Sequence, residues 1–434
     1  MTAIRALGLE LALVAKNQRA TDAVAERPGG GRSGADESDW YAPRQYPSAR
    51  KDEATMAVAT PKRIRYSTPI ITPEMEEAVV QALRGDPYIL ADRTKAFERT
   101  FREFIGTRHA VALSSGTAAL HLALLAAELG AGDEIIMPAN AYPPVADCIR
   151  LVGARPVLVD VDERTGCLDP SLVKPLITPR TRGVIPLHMY GHPADMDPLM
   201  NLARAHNLIV IEDAAHALGS RYRGRMTGTI GHLAIFSTGR KHITTGGIGG
   251  MVTTNNGEWA ERIDRLRNHG RDEREQRDLR QMDRVTLLGF NYRQSEVLAA
   301  LGELQVQQLP AWNEERRANA ARYRERLAAL GEQVQPLEEL EWAQHSYLHF
   351  PIRTTRRDEL AAFLNERGVE SHFIYPVPVH QQHLHAGHVI VPPDGLPVSE
   401  RLTAEILTLT PRPGLAPDDV DYICDQVVAF FAQG

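Results

Sequence analysis

The hydrophobic pattern changes character twice along the chain. Residues 1–61 show no sustained period: Gly29, Gly30, Gly31 and Gly34 sit among charged side chains, with Trp40, Tyr41 and Tyr46 nearby. A loose extension is expected there; the rival is an arm packed on a partner subunit, and Met56 is an alternative start. From about 64 to 308, short aliphatic runs alternate with helical patterns. The runs at 110–113, 134–137, 156–161, 183–186, 208–211 and 234–236 are largely apolar, as strands buried on both faces are. Patterns of helical period fall between them, at 118–128 and 197–205. Strands alternating with helices predict a mostly parallel sheet covered on both faces. Pro310 is expected to break the chain. Beyond it, 314–330 reads as a long arginine-rich helix, followed by strand candidates at 348–352 and 371–374 and helices at 357–366 and 418–431. The expected organisation is an extension (1–61), a large α/β domain (62–309) and a small α+β domain (310–434).

Composition narrows the function classes. The chain has 434 residues, 43% hydrophobic and 24% charged, with a net charge of −6. That balance is ordinary for a soluble globular protein and argues against a nucleic-acid binder, which is normally basic. No apolar run reaches the roughly 18 residues of a membrane helix. The apolar stretch 7–15 lacks the basic start and cleavage site of a signal peptide. Cys148, Cys167 and Cys424 are scattered and in no metal-binding spacing, so free thiols in a reducing cytoplasm are expected. Lysine occurs only at positions 16, 51, 62, 95, 174 and 241, which makes an internal lysine stand out.

Three segments carry candidate chemistry. Ser114-Ser115-Gly116-Thr117 follows a strand and opens a helix; small residues there let backbone N–H groups approach an anion. Ser115 serves equally well as a helix N-cap. Glu212-Asp213-Ala214-Ala215-His216 ends an apolar strand, where open α/β sheets place their ligands. Asp213 there suits a cationic ring nitrogen, or simply the capping of the next turn. Phe236-Ser237-Thr238-Gly239-Arg240-Lys241-His242 runs from a strand into a glycine-rich turn, and a desolvated Lys241 is what Schiff-base chemistry requires. Phosphate cradle, aspartate and lysine in this order are the parts that hold pyridoxal 5′-phosphate.

With these motifs, and with Pro138–Tyr142, His188-Met189-Tyr190-Gly191, Asn268-His269-Gly270 and Gly289–Arg293, the chain from about residue 69 onward resembles the DegT/DnrJ/EryC1/StrS sugar aminotransferases. These are fold-type I pyridoxal-phosphate enzymes. The resemblance implies Lys241 as the lysine bonded to the cofactor, Asp213 as partner of its ring nitrogen and His216 as the contact of its ring hydroxyl. It implies Tyr142 as the stacking aromatic, and Ser115, Gly116, Thr117 and Ser237 at the phosphate. Asn291 would reach the phosphate of a neighbouring subunit, making a homodimer with composite sites. Tyr190, Arg293 and His380 would face substrate. The implied reaction moves an amino group from glutamate or glutamine to a keto group of a nucleotide-linked keto-deoxysugar, in antibiotic, lipopolysaccharide or cell-wall sugar pathways. A cyclitol ketone is the rival acceptor. One departure matters: counting rigidly from Ser237 aligns His242, not Lys241, with the family's lysine. Histidine there would imply a dehydratase; the run Lys241-His242-Ile243-Thr244-Thr245-Gly246 favours Lys241. A non-catalytic regulator on the same fold is the third reading.

Overall fold

The computed structural model describes residues 62–85, 87–239, 243, 248–271, 285 and 287–433. The extension 1–61, Lys241 and His242 lie outside the described residues.

Helix α1 (Pro73–Arg84) starts as its sequence dictates, with Thr72 capping the Met75 N–H, Pro73 in the first turn and acidic Glu74 and Glu76 at its positive end. Helix α2 (Asp92–Ile105) buries Phe97, Phe101 and Ile105 along one face. Then follow β1 (His109–Leu113), α3 (Gly116–Ala126), β2 (Glu134–Pro138), α4 (Pro143–Leu151), β3 (Arg155–Val159), β4 (Thr181–Val184), α5 (Met196–His206), β5 (Ile209–Asp213), β6 (Leu233–Ser237), β7 (Gly250–Thr254) and α6 (Gly257–Arg267). The seven strands form one sheet in the order β1-β7-β6-β5-β4-β2-β3. All pairings are parallel except those of β7, which lies antiparallel between β1 and β6. The expected mostly parallel sheet is therefore present. Helix α3 is apolar all round and almost wholly buried, as a helix enclosed by sheet and neighbouring helices must be.

Because β1, β2, β5 and β6 run the same way, Leu113, Pro138, Asp213 and Ser237 come to one edge of the sheet. The turning strand β7 begins at that edge, with Gly250 paired to both Leu113 and Ser237. A Cβ on Gly250 would lie 2.1 Å from the Ser115 carbonyl oxygen, so only glycine lets the two segments approach.

Pro310 does not break the chain. Helix α7 (Glu296–Leu327) continues through it for 32 residues. Proline removes one backbone hydrogen bond and costs about 3 kcal/mol, but Val306, Leu309 and Trp312 around it are buried in the cluster that also holds Phe97, Phe101 and Phe236. Burying such side chains returns about 1.5–3 kcal/mol each, enough to keep the helix whole.

The C-terminal region forms a second, antiparallel sheet of Gln335–Pro336, β8 (Phe350–Arg353) and β9 (Ile406–Leu409), with α8 (Arg357–Glu366), α9 (Pro397–Glu405) and α10 (Pro417–Ala432). Phe350, Ile352, Leu360, Leu407, Val420 and Val427 fill its core, and Ile64 from the start of the described chain packs there too. The expected strand at 371–374 is reduced to one bridge, His372 to Thr408. The three cysteines are buried and free. No helix among the described residues is long and apolar enough to cross a membrane.

Below β1, Arg267 is 2% exposed and pairs with Glu98 at 2.6 Å and with Asp264, while also donating to the Ala112 carbonyl. Replacing Arg267 by Leu strands the partly buried Glu98 carboxylate. It is expected to cost about 3–5 kcal/mol of stability, measured by urea unfolding, with much of the loss restored in the Arg267→Leu/Glu98→Leu pair.

Candidate active site

The sheet edge opens into a cavity of about 420 Å³. Seven of the residues singled out in the sequence line it: Ser115, Gly116, Thr117, Tyr142, Asp213, His216 and Ser237. Gly239, Ile248 and Gly249 line it as well; they flank, in the chain, the segment that carries Lys241.

At one end stands the start of α3. Ser115 caps the helix, its Oγ accepting the Ala118 N–H at 3.0 Å. Its hydroxyl proton remains for donation outward. Gly116 and Thr117 supply first-turn N–H groups, which have no acceptor within a helix. Gly116 is needed for another reason: a Cβ there would meet Ser237 Cβ at 3.1 Å. Two serine hydroxyls and a helix N-terminus thus converge where an anion is favoured. The cap reading of Ser115 is present, and it leaves the hydroxyl proton available to an anion.

Asp213 ends β5. Among the described residues one N–H donates to its side chain, that of Ala215 at 3.1 Å. Burial pushes the carboxyl up to about 6, against the smaller opposing effects of the Ala215 N–H and of His188. A buried carboxylate with so little support favours a cation. The ring nitrogen of pyridoxal phosphate, protonated, is such a partner, and the anion site at α3 suits its phosphate. The residues present fit that cofactor.

Glu212, one residue earlier, faces the other way and is wholly buried. It accepts from His188 Nε2 at 2.9 Å and from the N–H groups of Gly228, Ile230 and Gly231 at 2.8, 2.8 and 2.6 Å. Burial acts to raise this carboxyl, but the hydrogen bonds from His188, Gly228 and Gly231 outweigh it and hold it below its usual range. His188 Nδ1 accepts the Ala194 N–H at 2.9 Å, so the ring proton sits on Nε2 and is donated to Glu212.

Four sequence-derived candidates lie elsewhere. Tyr190 is buried and donates its hydroxyl to the Ile374 carbonyl at 2.7 Å. His380 pairs with Glu400 at 2.8 Å. Asn291 accepts from Arg293 Nε at 2.9 Å, and neither lines the cavity. Conversely, Leu187, Leu348, Ile374 and Tyr375 line it without having been singled out. Tyr375 directly precedes the Pro376–His380 run, so a tyrosine beside that motif was the available signal; the three aliphatic residues carry none.

Similarity to known proteins agrees with this arrangement. The profile of the DegT/DnrJ/EryC1/StrS aminotransferase family matches residues 69–428. The chain is 36% identical over 340 residues to GDP-perosamine synthase of Caulobacter vibrioides, covering 76% of this chain and 89% of that protein. It is 38% identical over 356 residues to dTDP-3-amino-3,4,6-trideoxy-alpha-D-glucose transaminase of Streptomyces venezuelae, covering 82% and 91%. Among solved structures, S. venezuelae DesV in complex with ketimine intermediate is similar with a TM-score of 0.77 at 38% identity, covering 82% of this chain and 94% of that one.

The raised Asp213 carboxyl has a signed consequence. In the cofactor-free protein its folded value lies above the unfolded one, so its protonated form favours folding at low pH. That contribution is present below about pH 4, lost as pH rises to about 6, and flat beyond. Relative to Asp213→Asn, the cofactor-free protein is expected to lose about 2–3 kcal/mol of unfolding free energy between pH 4 and pH 6.5, read from urea titrations at each pH.

Proposed function

Because the chain belongs to the DegT/DnrJ/EryC1/StrS aminotransferase family and is a pyridoxal-phosphate-dependent aminotransferase, we propose that it transfers an amino group from glutamate or glutamine to a keto group of a nucleotide-linked keto-deoxysugar. The observation that supports this most is the single cavity that gathers an anion-binding helix start, a buried aspartate and the flanks of the Lys241 segment. The names of the two relatives above, both of sugar-nucleotide enzymes, support the acceptor class.

When bound, pyridoxal phosphate supplies an electrophilic aldehyde and an electron-withdrawing ring that together let an amino group pass from donor to acceptor. The chain's residues do the rest. Ser115, Ser237 and the Gly116 and Thr117 N–H groups would hold the phosphate. Asp213, ionised, would face the protonated ring nitrogen, and His216 would meet the ring hydroxyl. Tyr142, half exposed at the cavity and 5.5 Å from the Tyr375 ring, covers the ring face. Lys241 would hold the cofactor at its aldehyde, and its amine would carry the proton to and from the substrate carbon. Leu187, Ile235, Leu348 and Ile374 keep water from that proton.

The active form is a homodimer. Asn291 is exposed, paired to Arg293 and outside its own cavity, and Leu288 beside it is 95% exposed. A second copy covering this surface brings Asn291 to the partner's phosphate site.

Borohydride reduction of the yellow protein followed by peptide mapping is expected to find the cofactor attached at Lys241. Lys241→Ala is expected to lower transamination by at least about 10³-fold while leaving the fold intact, and His242→Ala to be far milder. Cofactor bound but never trapped, with His242→Ala alone abolishing turnover, would instead mean a dehydratase.

A further inference from the structure

Tyr375 faces the cofactor cavity, yet the sequence motifs assign it nothing. Its hydroxyl lies 3.1 Å from His216 Nε2. The phenol is buried, and burial together with the Asp213 charge pushes its pKa well above the ordinary value, so it keeps its proton. A buried hydroxyl spends that proton on an acceptor. Among the described residues the one in reach is His216 Nε2. A neutral imidazole that accepts at Nε2 carries its own proton on Nδ1.

The supports behind this contact are defined. Tyr190, at φ +60°, donates its hydroxyl to the Ile374 carbonyl and so holds the backbone that leads into Tyr375. That left-handed conformation is unfavourable for a non-glycine residue, and the surrounding contacts must offset it. The Tyr190 carbonyl accepts the His349 N–H at 3.2 Å. The His349 ring meets the His216 ring edge-on, with centroids 5.1 Å apart and planes at 75°. A chain of protons orients His349 in turn. Thr408 Oγ1 donates to the His372 carbonyl at 2.8 Å and accepts the Tyr66 hydroxyl at 2.9 Å. Tyr66 has then spent its one proton, so its oxygen accepts from His349 Nδ1 at 2.6 Å. His216 is thus held by a hydroxyl at one nitrogen and by an aromatic ring of fixed orientation.

The geometry points to Tyr375 as a positioning residue that locks His216 in its Nδ1–H tautomer, so that Nδ1–H is what His216 offers to the ring oxygen of the cofactor. This rests on the role proposed above for His216. Tyr190, on the same argument, acts one step further back, through the Ile374 carbonyl.

The test uses the full-length, cofactor-free protein and pyridoxamine 5′-phosphate, an amine that cannot condense with lysine. Tyr375→Phe is expected to weaken its binding about 5–10-fold, the worth of one buried hydrogen bond. In a His216→Phe background the same change is expected to have no further effect. Tyr190→Phe, which touches neither His216 nor the cavity, should shift affinity in the same direction but less. In ¹⁵N-histidine spectra, the His216 signals, identified by their loss in His216→Phe, should report Nδ1–H in the wild type and a mixture of tautomers in Tyr375→Phe. Undiminished affinity in Tyr375→Phe overturns the proposal. So does an equal loss in both backgrounds, which would make the hydroxyl merely structural, or an Nε2–H tautomer in the wild type. A wild type that does not bind pyridoxamine phosphate at all would overturn the cofactor roles proposed above along with it.

Discussion

The site depends on one buried carboxylate that does not line it. Glu212 is fully enclosed and takes four hydrogen bonds, one from His188 and three from the backbone of residues 228–231. Adjacent residues of a strand point to opposite faces. Fixing Glu212 on one side therefore fixes Asp213 on the other. The tie also brings the loop before β6 under β5, where Gly228 sits at φ +90° and a Cβ would lie 2.4 Å from the Phe236 ring. Leaving a buried carboxylate without its donors costs several kcal/mol, so Asp213 is held by a constraint stiffer than the Ala215 N–H bond to its side chain.

Asp213 shows the opposite economy of design. Among the described residues one N–H reaches its side chain, and burial pushes the carboxyl up. On the reading proposed above, the two neighbouring acids divide the labour: Glu212 holds the architecture, and Asp213 is left to meet a cationic ring. Environment alone distinguishes them.

The second sheet contributes more than bulk. Leu348, Ile374 and Tyr375 from the C-terminal region close the cavity over the strand ends. Asp160, just past β3, accepts the Val398 and Ser399 N–H groups and the Ser399 hydroxyl, clamping the start of α9 to the large sheet. Tyr66, near the start of the described chain, stacks on His372 with ring centroids 3.8 Å apart and closes the proton chain to His349. Segments more than 300 residues apart thus meet behind one histidine.

Periodicity determined a great deal of this. Apolar runs separated by helical patterns specify a parallel sheet, because only strands covered on both faces bury such runs. Parallel strands then deliver their carboxyl ends, with Ser115, Asp213 and Ser237 beside them, to one edge. That is why six cavity residues were legible in local motifs; Tyr142 came from the family resemblance alone. Pro310 was misread because a lost backbone hydrogen bond is a local penalty, while the burial of Val306, Leu309 and Trp312 that outweighs it is not local. Leu348, the Tyr66–His349 contact and the placement of Tyr375 against His216 were out of reach for the same reason. Which side chain a distant segment presents to a cavity is set by packing between sheets, a property of the folded chain that no window of sequence contains.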